Sequence, residues 1–320
     1  MPNRMKPGFL LALIAGACLA TTLRADVLKI GCSDWPGSAA LEIASEKGWF
    51  KEAGLEVEIV RAEYPSSIAA FAGTATDAVC IVGSDALVAG ANGTKCRIIA
   101  AFDYSDGGDA IVGAPGVESI KDLKGRKVGV EVGFVGHLLL LQALRSSGMK
   151  QSDVELTIIP AKEAAQALTG GNVAAAALRQ PALGQVLKQV AGSKALFTSA
   201  DSKGLIYDVL AVNPESYRTR KGDWAKFVGA CYRAIAYLKD PKTAADAISI
   251  AAAKSGGDAS FAEAIAGTHF LSLGEAKKAF RNALGVSLAA ANKLNLEAKL
   301  YKTPQKPEAY LASSIVENLK

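Results

Sequence analysis

The sequence predicts an α/β protein of two lobes, each a mixed sheet flanked by helices, with a helical C-terminal extension on the first lobe. Three observations carry this. Strand-like and helix-like segments alternate through the first two thirds of the chain. A second alternating series begins after the charged, Gly-containing connection Glu118 to Arg126. The chain has 320 residues, more than a single hydrophobic core usually serves.

The first unit sets the pattern. Val27-Leu28-Lys29-Ile30 alternates around one polar residue and reads as a strand. It feeds the turn Ser33-Asp34-Trp35-Pro36-Gly37. Ala39, Leu41, Ile43, Ala44 and Trp49-Phe50 then lie close to helical spacing, and Gly48 and Gly54 bracket the exit into the alternating Leu55 to Val60. In open α/β sheets ligands bind outside the carboxyl ends of strands, where loops and helix N-termini converge, so this unit reads as one wall of a cleft.

Further along, Ser66 to Gly73 is expected as helix, Ala78 to Val82 as strand, Ser84 to Ala91 as helix, and Arg97 to Asp103 and Asp109 to Gly113 as strands. The second series runs strand Lys127 to Glu131, helix Gly136 to Ser147, strand Val154 to Ile159, helix Ala161 to Leu168 and strand Val173 to Ala177. Ser199-Ala200-Asp201 reads as a surface loop and Ile206 to Val212 as one more strand. From Asp223 onward the pattern is almost wholly helical, broken at Asp240-Pro241 and Ser255-Gly256-Gly257-Asp258. The first lobe is expected over 26–112 and 207–320, the second over 113–206, with two crossings as the hinge.

Residues 1–25 have the layout of a secretory signal peptide: Arg4 and Lys6, an apolar run from Gly8 to Ala20, then small or polar residues to Ala25. The run is shorter than the roughly 20 residues of a membrane helix. Ala15-Gly16-Ala17-Cys18 is the alternative, a lipid anchor at Cys18. Loss of Arg4, Lys6 and Arg24 would take the formal charge from +5 to about +2, which gives no nucleic-acid footprint. Cys32, Cys80, Cys96 and Cys231 would remain; disulfides are open to an exported chain, and burial as small hydrophobes is favoured over any given pairing.

Ser33-Asp34-Trp35-Pro36-Gly37, followed by Glu46-Lys47-Gly48-Trp49-Phe50-Lys51-Glu52-Ala53-Gly54-Leu55-Glu56-Val57, resembles the opening of solute-binding proteins of the nitrate/sulfonate/taurine class of ABC importers. Asp103-Tyr104-Ser105, Lys121-Asp122-Leu123-Lys124-Gly125-Arg126-Lys127-Val128 and Gly204 to Leu210 extend the resemblance over nearly the whole processed chain. It implies a type II periplasmic-binding-protein clamshell that closes on a small molecule and delivers it to a membrane permease and its ATPase, as a periplasmic monomer touching the membrane only through the permease. Family members often carry a second Trp after the first Pro-Gly and Trp-Glu-Pro-Trp at a second-lobe strand end. Here those places hold Ser38 and Arg179-Gln180-Pro181-Ala182. An arginine fork suits carboxylate, sulfonate or nitrate, so the expected ligand is a small organic anion or zwitterion.

Each candidate contact has a structural alternative. Trp35 stacks on a ligand or packs under its loop, and Ser38 either meets an anion or caps the next helix. Ser66, Ser67 and Ser84 stand at the starts of helices in the same way. Gly133, Phe134, Val135 and His137 match the family's second-lobe loop without its usual hydroxyl, and a lone His at a helix start more often caps or packs. Arg179 and Gln180 replace the aromatic pair. Asp34 belongs to the first turn, and Asp103 and Asp208 sit near the hinge as acceptors for a ligand ammonium or as structural hydrogen-bond partners. No CxxC, HExxH or GxSxG motif occurs, and no catalytic residue, metal or cofactor is expected. A ligand-presenting sensor uses the same residues. The pyrimidine synthases of the same fold family need a cysteine cluster and a reacting histidine, which are not found here.

Overall fold

The computed structural model describes residues 27–254 and 260–320; the expected leader at 1–25, Cys18 and the break at 255–258 lie outside them. Eleven strands are described: β1 (Leu28–Cys32), β2 (Val57–Arg61), β3 (Ala78–Val82), β4 (Arg97–Ser105), β5 (Asp109–Gly113), β6 (Lys127–Val130), β7 (Glu155–Ile158), β8 (Ala175–Arg179), β9 (Lys194–Thr198), β10 (Tyr207–Val212) and β11 (Thr268–Phe270). They form two sheets, ordered β11-β4-β10-β3-β1-β2 and β7-β6-β8-β5-β9.

The two sheets share one plan. β1 pairs in parallel with β2 and β3, as β6 does with β7 and β8. The next strand out is antiparallel in both: β10 beside β3, β5 beside β8. Each of these antiparallel strands is the first that the chain lays down after crossing from the other sheet. The crossings fall at 106–108 and 199–206. β5 belongs to the second sheet, so the first crossing comes before Asp109, earlier than the expected boundary at 112.

Ser199 corrects the surface-loop reading. It is buried, its hydroxyl accepts the Gly107 amide at 2.7 Å, and it bonds the Ser105 hydroxyl at 2.8 Å, which ties one crossing to the other. β9, the helix Ala182–Gln189 and the three-residue β11 go beyond the sequence reading, the last inside the stretch expected to be almost wholly helical.

The long helix Lys221–Lys239 covers the first sheet with Trp224, Phe227, Val228, Cys231 and Ile235, all fully buried. Phe227 stacks on Phe50 with ring centroids 4.8 Å apart, which fastens the short helix Trp49–Glu52 to the C-terminal helices. The Tyr232 hydroxyl donates to the Ala101 carbonyl at 2.8 Å. The four described cysteines are free thiols. Among the described residues no helix is long and apolar enough to cross a membrane.

Candidate functional site

A cavity of about 470 Å³ opens between the sheets, and its walls are residues that follow the carboxyl ends of strands. Asp34 comes after β1, Glu63 to Ser66 after β2, Glu131 and Phe134 to Gly136 after β6, Pro160 to Lys162 after β7, and Arg179 to Ala182 at the end of β8. The first lobe contributes the first two groups and the second lobe the others.

Arg179 reaches across this space. Its Nη2 donates to Asp34 Oδ1 at 2.7 Å, and its guanidinium carbon lies 6.0 Å from the centre of the Tyr64 ring. Its side chain is 22% exposed against 60% for Asp34. Phe134 of the second lobe meets Tyr64 edge-on at 6.1 Å. The Asp34 turn is held from behind: Arg61 Nη1 donates to the Ser33 carbonyl at 2.7 Å and pairs with the buried Glu42.

The floor beneath is acidic. Asp85, Asp103, Asp109 and Asp208 are buried or half-buried, and burial raises the pKa of all four, Asp85 and Asp103 to about 7. Asp85 accepts the Tyr64 hydroxyl at 2.8 Å and the Ser84 hydroxyl at 2.9 Å. Asp103 on β4 and Asp208 on β10 are register partners. Asp103 Oδ1 accepts the Trp35 indole N–H at 3.3 Å, while its Oδ2 has no hydrogen-bond partner among the described residues. The Asp103 charge is among the causes that raise Asp208, as expected where two carboxyls at paired strand positions disfavour double ionisation.

Gly37 shows how closely this floor is packed. A Cβ there would collide with Asp103 Oδ2 and lie 2.7 Å from Trp35 Nε1. Gly37→Ala is therefore expected to cost about 1–3 kcal/mol and to part Trp35 from Asp103. Urea denaturation followed by Trp fluorescence measures it, and an unchanged midpoint would contradict the packing described.

The structure brings Asp34, Ser66, Phe134, Val135, Arg179 and Gln180 to the main cavity. Trp35, Ser38, Asp103 and Asp208 lie below it, lining a small space of about 20 Å³. Trp35 thus packs and hydrogen-bonds under the loop. Ser38 gives its hydroxyl to the Trp35 carbonyl at 2.8 Å and makes no side-chain cap on the helix Ala39–Glu46.

Four more of the candidate contacts do not line the main cavity. Ser67 donates to the Tyr64 carbonyl and Ser84 to Asp85, and neither lines the cavity. Gly133 gives its amide to His137 Nδ1 at 3.3 Å, and His137 Nε2 meets Gln151 Oε1 at 2.9 Å. His137 is 1% exposed, burial lowers its pKa, and both ring nitrogens are used inside the second lobe. Tyr64, Glu131 and Lys162 are wall residues that the sequence reading passed over. Glu131 and Lys162 follow strand ends just as Asp34 does, so the same rule applied to β6 and β7 finds them.

Comparison with known proteins bears on the family and the fold. A 31% identical relative, a candidate binding protein of Brucella abortus (strain 2308), aligns over 170 residues, 53% of this chain and 52% of its own. The chain thus spans about half the length of the curated relatives it matches first. Among solved structures, the periplasmic aliphatic sulphonate binding protein SsuA from Escherichia coli overlays with a TM-score of 0.72 at 21% identity, covering 90% of this chain and 92% of that one. The alkanesulfonate-binding protein SsuA from Xanthomonas axonopodis pv. citri, bound to MOPS, gives 0.74 at 18%, with 89% and 98% covered. The desulfurization enzyme DSZB shares the fold at 0.66 and 18%, with 91% and 98% covered. The family model described as NMT1/THI5 like matches residues 35–244, and the chain belongs to that family.

Proposed function

We propose that this protein is the solute-binding component of an ABC importer, which captures a small organic anion or zwitterion, an organic sulfonate foremost, between its lobes and delivers it to a membrane permease and its ATPase. The observation that carries the reading is the Arg179 guanidinium, set on one lobe, bonded at 2.7 Å to a carboxylate of the other and lining a cavity of about 470 Å³. Planar paired N–H donors match the oxygens of a sulfonate or carboxylate, and the cavity is of the size that small-molecule sites occupy. A ligand touched by both lobes binds the closed form best and shifts the population toward it, so capture needs no chemistry. The names of the two SsuA neighbours, sulfonate-binding proteins, support the ligand class, and the periplasmic setting of the Escherichia coli one supports the same compartment here.

An enzymatic reading rests on the overlay with a desulfurization enzyme. Against it, no cysteine or histidine is among the residues lining the cavity. Thermal melting of the purified protein with a panel of sulfonates, amino-sulfonates, nitrate and pyrimidines tests the proposal. A ligand at 100 times its Kd stabilises by about 2.7 kcal/mol, a shift of several degrees for a chain of this size. Melting unmoved by every anion and zwitterion in the panel would overturn it.

A further inference from the structure

The second lobe offers the cleft two features that attract anions, and carboxylates of the first lobe address both. Asp34 holds the Arg179 guanidinium at 2.7 Å. Asp85 faces the N-terminus of the helix Val135–Ser146, where the Val135 amide favours its charged form. The charged groups around the main cavity are Asp34, Glu63, Glu131, Lys162 and Arg179. Three are acids, and Arg179 is the cation engaged across the lobes.

We infer that Asp34 is a specificity-determining residue: it stands on Arg179 in the place of the ligand's anionic head and, once displaced, becomes the acceptor for a cationic group on the same ligand. The inference rests on the anion-binding reading of Arg179 given above. Asp34 fits both parts. Its side chain is 60% exposed and sits on a turn, so it can leave Arg179 without unpacking the core. The exchange swaps one charge-assisted hydrogen bond for another. A plain anion that takes Arg179 leaves three carboxylates facing it against Lys162. A zwitterion brings a cation to the freed Asp34 and avoids that repulsion. Asp34 thus raises the threshold for every anion and returns part of the cost only to a zwitterion.

Two isosteric probes separate these effects: butane-1-sulfonate, and 3-aminopropane-1-sulfonate, in which an ammonium replaces the terminal methyl. Isothermal titration calorimetry compares the purified protein with its Asp34→Asn and Asp34→Ala variants, with melting curves to confirm that each variant folds. The unchanged protein is expected to prefer the aminosulfonate about tenfold. Both variants should bind butane-1-sulfonate about tenfold more tightly while the aminosulfonate stays within about threefold, so the preference closes. A preference kept in both folded variants overturns the role of Asp34 and leaves the anion reading in place. Failure of both sulfonates to bind any of the three proteins overturns the anion reading and this inference with it.

Discussion

Arg179→Ala is expected to weaken binding of the protein's sulfonate or zwitterion ligand by roughly 30- to 150-fold while leaving the fold intact. The guanidinium ends β8, and the cleft wall leaves its side chain 22% exposed, so a ligand there is held by a largely desolvated charge pair. Truncating one partner of such a pair costs about 2–5 kcal/mol, and partial exposure places this site at the lower end. Lys162 is the remaining cation on the wall, a point charge on a flexible stem that cannot present a paired fork. For the same reason Arg179→Lys should recover only part of the loss. The unliganded protein loses little, because a surface-type pair with a half-exposed Asp34 contributes about 0–1 kcal/mol. Calorimetric titration with the best ligand of the melting panel, beside a melting curve of each variant, checks both halves. Binding within threefold of the unchanged protein would show that the ligand's charge is met elsewhere.

The architecture was legible because it is written in short-range patterns. Short apolar, strand-like runs mark β1, β3, β4, β6 and β10 to within a residue or two at most ends, and helices intervene between the strands that pair in parallel, β1 with β2 and β6 with β7. β11 left no signal because three residues cannot establish a period. Two of the cavity's wall residues are singled out by the sequence: Arg179 as the departure from the family's Trp-Glu-Pro-Trp, and Asp34 in the turn after β1. What stayed hidden was reach. Tyr64 lies just before the helix expected from Ser66 and draws no notice, yet its hydroxyl donates to Asp85 and accepts the Val82 amide while its ring meets Phe134 from the other lobe. His137 takes the packing role that its place at a helix start favoured, but its partners Gly133 and Gln151, which use both its nitrogens, could not be read from the spacing. Burial of the hinge-side acids was equally hidden, because Asp103 and Asp208 stand 105 residues apart and meet only through the β4–β10 register.

That buried acid floor sets the pH dependence. Desolvation first, opposed by the Trp35 N–H, lifts Asp103 to about 7, and desolvation opposed by the Tyr64 and Ser84 hydroxyls lifts Asp85 to about 7. Burial and the neighbouring Asp103 charge raise Asp208 as well. An unfolded aspartate releases its proton near pH 4, so between about pH 4 and 7 the folded protein holds protons that the unfolded chain has lost. Stability from these groups is therefore complete below about pH 4 and is lost as the pH rises through 7. Glu275 works the other way: the Ser272 hydroxyl and amide, His269 and Lys239 overcome its desolvation and depress it to about 2, so its contribution is complete above the ordinary glutamate range and is lost as the pH falls from there through 2. The melting temperature should accordingly be higher at pH 5 than at pH 8, by an amount reflecting at most a few kcal/mol. Asp103→Asn keeps an acceptor for Trp35, offers an amide to Asp208 and removes one buried charge. It should flatten the slope and raise the melting temperature at pH 8. A profile that is level or rising from pH 5 to 8, or a variant as steep as the unchanged protein, would mean that water reaches these carboxylates. The same deprotonation adds negative charge beneath Arg179, so affinity for a sulfonate should decline over the same interval, and Asp103→Asn should reduce that decline together with the loss of stability.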